Sequence, residues 1–387
     1  MRWNPLLLAL LVVLSVCRCF GAEPASVPIT VYVGTFPSPQ SKGIYSFQFD
    51  PATGKASPKA AVLRVEADRP GYLALHPNGR ILYSLSASSE YQGKPSGSLT
   101  AYSIRPDGSL EPLGTQATGG AGPCYLDIDP TGRCALVAAY NGGNISALPI
   151  APDGRLGEVA SFIQHTGSSV NPERQTHAYA HWIEADPTNH RALVCDLGLD
   201  KVLVYRLDVA TAKLTANEPP SASVAPGSGP RHLAFHPSGK WAYVINEMGN
   251  TVDAFDYDSK TGALHPLQTV STLPEGFEGA NTGAEIAVHP NGHYVYASNR
   301  GDNSVVVFRI DPASGKLAFL QRQSTGGKTP RFFALDPTGH WLLVANQDSQ
   351  SIVVLHLDPE TGKLSPTNQR VEVGAPTCLV FATLPKG

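Results

Sequence analysis

"LAFHPSGKWAYVI", Leu233 to Ile245, decides the fold, because the chain writes this phrase six times. An apolar stretch, then His or Asp before a Pro-led turn, then a second apolar stretch recurs as "LALHPNGRILYSL", "LDIDPTGRCALVA", "IEADPTNHRALVC", "IAVHPNGHYVYAS" and "FALDPTGHWLLVA". The turn prolines, Pro77, Pro130, Pro187, Pro237, Pro290 and Pro337, stand 47 to 57 residues apart. A second phrase alternates with the first: a turn of the form Asp-Pro-x-Thr-Gly or Pro-Asp-Gly, at Asp50, Asp107, Asp153, Asp208, Asp258, Asp311 and Asp358. Between turns the residues alternate with period two and favour Val, Ile, Leu, Tyr and Phe, as in "SVVVFRI" and "SIVVLHL". That pattern is half-buried β-strand, and no long segment of period 3.6 competes with it. A repeat of this length with about four short strands per unit is a propeller blade.

Six copies of the first phrase and seven of the second need reconciling. The C-terminal "PTCLVFATL" reads as a first strand without a partner, and the N-terminal "ITVYVGTF" and "GIYSFQFDPATG" as later strands without a first. Joined, they make a seventh blade that leaves no bare strand edge. The expected fold is therefore all-β, a seven-bladed β-propeller of four-stranded antiparallel blades. Its last blade is closed by the N- and C-terminal strands, and residues 22–387 form one domain.

Residues 1–21 read as an export signal. Arg2 supplies the positive end, Leu6 to Val16 an apolar run too short to span a bilayer, and Cys19 and Gly21 the small residues of a cleavage site after Gly21. A lipoprotein reading through Leu14-Ser15-Val16-Cys17 fits less well, because valine precedes the cysteine. The expected location is periplasmic or secreted, with no integral membrane segment left after cleavage. Net charge is −3, charged residues are 16%, and no basic run is present, which excludes a nucleic-acid partner. Cys124, Cys134, Cys195 and Cys378 are far apart without CxxC spacing. They read as small buried residues, neither a disulfide framework nor a metal site.

The repeat lets equivalent positions be compared within one chain. Six residues before each turn proline, at the entry of the first strand, stand Gly71, Cys124, His181, Arg231, Ala284 and Arg331, with Thr377 in the closing blade. Ten residues after it, at the exit of the second strand, stand Ala87, Tyr140, Leu197, Glu247, Arg300 and Gln347. An antiparallel hairpin returns both registers to the same end. If these hairpins are innermost, the registers meet at one mouth of the central channel. Most early units hold small or apolar residues there, and later ones hold His181, Arg231, Glu247, Arg300 and Arg331, with Glu285 one residue past Ala284. A concave mouth with convergent charged groups is the default ligand site. Plain salt bridges, Arg231 with Glu247 and Arg300 with Glu285, are the structural alternative. His177 lies four residues before His181, but on strand or loop, where His-x-x-x-His is a poor metal chelator. His76, His236 and His289 alternate with Asp129, Asp186 and Asp336 at one turn position and read as turn caps.

"GPRHLAFHPSGKWAYVINE", "AEIAVHPNGHYVYASNRGDNSV" and "HWIEADPTNHRALVCDLGLDKV" resemble the lactonase family of seven-bladed propellers, which takes in propeller-type 6-phosphogluconolactonases and has fungal carboxymuconate cyclases as relatives. The resemblance covers nearly the whole chain after the leader. It implies an active-site set of one histidine, two arginines and a glutamate at His181, Arg231, Arg300 and Glu247. Glu285, in the Ala-Glu-Ile phrase, Arg331, His177 and His232, in the Pro-Arg-His phrase, are expected to bind substrate. There are departures. "LYSLSASSE" displaces Glu90, and "THAYAHWIEA" leaves open which histidine faces the channel.

Lactone hydrolysis needs an activated water, a stabilised oxyanion and a protonated leaving oxygen. His181 or Glu247 could take the proton from water. Arg231 and Arg300 would hold the substrate's anionic group or the oxyanion with a planar fork, and Glu285 would orient an arginine. No metal, nucleotide or flavin motif is visible, so no cofactor is expected, and there is no Gly-x-Ser-x-Gly elbow. The expected activity is metal-independent hydrolysis of a sugar-acid lactone, either 6-phosphogluconolactone or, given export, a non-phosphorylated aldonolactone. The alternatives are a lactonising cycloisomerase of the muconate type and a non-catalytic exported binding scaffold.

Overall fold

The computed structural model describes residues 28–385, so the expected leader, residues 1–21, lies outside the described residues. Six blades follow one another along the chain, each with four antiparallel strands paired in sequence order. The seventh is assembled from both ends: the C-terminal strand Pro376–Ala382 pairs with Ile29–Thr35, which pairs in turn with Gly43–Asp50 and then Lys55–Glu66. A single parallel bridge, Glu372 to Ala60, ties the outer strands of blades six and seven together.

The first strand of every blade contacts the first strands of both neighbours, around a closed ring, so these strands line the axis. Apolar alternation puts one face of each sheet against the next, and the described hydrophobic clusters each lie between adjacent blades. Trp182, Val244 and Phe255, for example, join blades three and four.

The repeated turn has a physical basis. Its glycine is left-handed (φ 69 to 75° at Gly79, Gly132, Gly239, Gly292 and Gly339), and in blade three Asn189 takes its place at φ 57°, as asparagine can. The residue before the proline caps that turn, as expected: the Asp129 carboxylate accepts from the amides of Thr131, Arg133 and Cys134. The histidines also latch blades together. Nδ1 of His236 accepts from the Ser238 amide at 3.0 Å, so Nε2 carries the proton and donates to the Gly292 carbonyl of the next blade at 2.9 Å. His76 and His289 make the same link, to Gly132 and Gly339.

At the upper end each inner strand departs from regular pairing at the same place. In blade four Pro230 pairs with Asn246 and His232 with Ile245, leaving Arg231 as an unpaired extra residue. Gly71, Cys124, His181, Arg331 and Thr377 are skipped in the same way, and blade five skips Ala284 together with Glu285. The register six residues before the proline is therefore a β-bulge, which re-aims a side chain and ends the ladder. In blade four Gly229 leads into it at φ 61°; a Cβ there would come within 2.8 Å of Met248.

Candidate active site

The bulge residues and the exits of the second strands surround an open cleft of about 820 Å³ at one end of the axis. Cys124, His181 and Arg331 reach it from bulges, and Ala87, Tyr140, Glu247, Arg300 and Gln347 from strand exits. The exits are tied down by backbone: the amides of Ala87, Tyr140, Glu247 and Gln347 donate to Arg69, Gly122, Gly229 and Thr329. The amide of Phe36 makes the same bond to Ala375. Phe36 is thus the closing blade's exit residue, and Arg331 lies over its ring at 4.8 Å.

Glu247 is the centre of the charge arrangement. Its carboxylate is 2.6 Å from Arg174, 3.2 Å from Arg231 and 2.8 Å from Arg300. Burial pushes its pKa up, but Arg300, Arg231, His181 and the Arg174 hydrogen bond outweigh burial and hold it well below the usual carboxylate range. A carboxylate so stabilised is a poor proton acceptor. His181 differs in charge and in pairing. It is 95% buried at the edge of the cleft, its Nδ1 has no partner, and the Tyr140 ring packs edge-on at 5.6 Å. Burial first, then the positive charge of Arg231, lowers its pKa well below the ordinary histidine value, against the pull of Glu247, so the imidazole is neutral at pH 7.

Arg331 has no carboxylate within ion-pair distance among the described residues. It and Arg300, whose Nη2 also donates to the Gly283 carbonyl at 2.9 Å, are cations facing the cleft.

Arg231 does not wall the cleft. It is 98% buried beneath it, facing a recess of about 10 Å³, about the space of one water. His232 and Glu285, expected to bind substrate, lie in the same lower layer and do not line the cleft. Glu285 pairs with His232 at 2.9 Å and not with Arg300. His177 is exposed outside the cleft, tilted against the Tyr179 ring at 4.0 Å, because the bulge aims only His181 inward. Cys124 is partly exposed on the cleft wall and so departs from the expected burial; all four described cysteines are free.

Two contributors carried no repeat signal. Arg174 comes from the connection of residues 165–179, the longest link between blades. Gln175, fully buried, pins that connection by donating to the Leu197 carbonyl, and Arg174 also reaches the Tyr140 hydroxyl. Its one sequence clue is a charged residue in an unusually long mouth-side loop. Phe36 was hidden because the chain ends where its turn proline would stand.

A family model described as "Lactonase, 7-bladed beta-propeller" matches residues 30–381. The chain belongs to this lactonase family. Among its relatives, the 6-phosphogluconolactonase of Bacillus subtilis (strain 168) is 36% identical over 301 residues, covering 78% of this chain and 83% of that protein. The 6-phosphogluconolactonase of Formosa agariphila is 32% identical over 309 residues, covering 78% and 84%. Among solved structures, the periplasmic gluconolactonase of Pseudomonas aeruginosa superposes with a TM-score of 0.86 at 34% identity, covering 93% of this chain and all of that one. No described helix of this lactonase-family chain is long and apolar enough to cross a membrane.

Proposed function

We propose that the chain hydrolyses a sugar-acid lactone, with water as nucleophile and His181 as the base. The observation that carries this is a neutral imidazole at the edge of a cleft walled by Arg174, Arg300 and Arg331. His181 takes a proton from water as the oxygen attacks the lactone carbonyl. Arg300 and Arg331 offer N–H groups to the developing oxyanion or to an anionic substituent of the sugar acid. The tetrahedral intermediate collapses by breaking the ring C–O bond, and the imidazolium returns its proton to the leaving alkoxide. Glu247 is the counter-charge that stabilises the transient imidazolium and holds Arg174 and Arg300 in place; it is not the base. Arg231 acts from below, on Glu247 and on the proton affinity of His181.

The substrate class follows from the relatives, described as acting on 6-phosphogluconolactone or gluconolactone, together with this cleft. Export through residues 1–21 belongs to the same proposal and agrees with the Pseudomonas relative being described as periplasmic. The test is purified mature protein in a pH-stat with gluconolactone, its 6-phosphate and a muconolactone, the spontaneous rate subtracted. Turnover of either sugar lactone that His181→Asn abolishes supports the reading. Turnover of the muconolactone alone, or of none, overturns it.

A further inference from the structure

Beneath the cleft the closed ring of first strands sets one side chain per blade against the axis. Tyr72 touches Phe332, and Tyr125 touches His232, each across an intervening blade (centroids 6.0 and 5.0 Å), which only axis-facing residues can do. His232 and Glu285 are the polar members of this layer, 98% and 93% buried. Nη1 of Arg231 stands 3.2 Å from Nε2 of His232 and 2.6 Å from the Ala284 carbonyl. A guanidinium only donates, so Nε2 of His232 is an acceptor and the ring proton sits on Nδ1. Nδ1 therefore donates to Oε1 of Glu285, 2.9 Å away, and the geometry fixes the tautomer by elimination.

We propose that His232 and Glu285 are a positioning pair for Arg231: a neutral acceptor, fixed in its tautomer by Glu285, that leaves Glu247 as the sole counter-charge of that arginine. This rests on the lactonase reading above. The alternative state has a clear cost. An ionised Glu285 would offer Arg231 a second carboxylate and draw the guanidinium away from Glu247, which its Nε meets at 3.2 Å. Several features of the surroundings keep Glu285 protonated. Its Oε2 is buried without a partner, and burial raises its pKa to about 8 against the pull of Arg231, the Ile286 amide and Arg331. Glu184, two blades away on the inner strand Ala180–Ala185, and Tyr72, Tyr125 and Cys378 also interact with it. Around His232, burial, then Arg231, His181, Arg331 and Arg300, hold the ring neutral. The apparent ion pair is thus a hydrogen bond between two neutral groups at pH 7.

The test is the pH profile of the wild type, Glu285→Gln, His232→Gln and His232→Leu on whichever sugar lactone the wild type hydrolyses, with thermal unfolding of each. The wild type should lose kcat above about pH 8, as Glu285 ionises, and Glu285→Gln should keep its activity there. His232→Gln, which still offers an oxygen to Arg231 and an N–H to Glu285, should stay within a few-fold of wild type. His232→Leu should lose up to about 10²-fold in kcat, as a misplaced group does, with KM little changed. If Glu285→Gln retains the alkaline limb, or His232→Gln loses as much as His232→Leu while both fold, the positioning pair is overturned and the lactonase reading stands. A wild type that hydrolyses no sugar lactone removes both.

Discussion

His181 is available as a base because burial and Arg231 together keep its proton off. A base with a lowered pKa works above that value, so kcat/KM should hold level from neutrality downward and fall only on acidification well below pH 6.5. A pH–rate profile checks this, and an acid limb centred at or above 6.5 would contradict it. Substitution His181→Asn should cost about 10²- to 10⁴-fold in kcat, the range of general-base contributions. Arg174 is the partner of Glu247 that comes from a connecting loop, and its side chain is 42% exposed. It can exchange Glu247 for an anionic substrate group, so Arg174→Met should raise KM roughly tenfold, about one charge-assisted hydrogen bond, with a smaller effect on kcat. Glu247 answers to stability first. Removing it as Glu247→Leu strands the buried Arg231 and should cost about 3–5 kcal/mol in denaturant unfolding. Its folded pKa lies below the unfolded one, so its contribution is complete above about pH 4.3 and is lost as pH falls. A Glu247→Leu variant should therefore show a flatter decline in stability below that pH than wild type.

The unit that made the site legible is the hairpin with its bulge. Counting from the turn proline found His181, Arg231, Glu247, Arg300 and Arg331 because the bulge falls at the same count in every inner strand. Depth was not legible. A period-two pattern says which face a residue takes, but an extra residue lets Arg231 and His232 both turn inward at different heights. That is why Arg231, His232 and Glu285 sit below the cleft. Loops carry no register at all, so Arg174 gives no count to find it by, and His177, expected at the site, lies outside the cleft. The turn histidines read as caps from their position, while their second bond, to the next blade, is set by tertiary packing that the turn phrase does not encode. His236→Ala removes both bonds and leaves the Gly292 carbonyl without its partner. It should cost about 1–3 kcal/mol, with the lactone kinetics unchanged, measured by thermal unfolding beside initial rates.

At the scale of the molecule, the seven-fold ring followed from mismatched counts of two turn phrases, and both ends of the chain met where those counts required. Removing residues 376–387 deletes the inner strand of the closing blade and exposes the full edge of Ile29–Thr35. The truncated chain should lose cooperative unfolding and self-associate, read by size exclusion and denaturant titration; a monomer with wild-type unfolding would show that closure contributes little. The joint has a further meaning for synthesis. Thr30 pairs with Gln48 on one side early, but on its inner side only when Ala382 has been made. At ~5–20 residues per second that is a delay on the order of tens of seconds, during which "ITVYVGT", an apolar strand, waits beside an empty place. The last described strand is the one the first described strand needs, so holding the nascent edge apart from other edges is part of what the cell must do to obtain this protein.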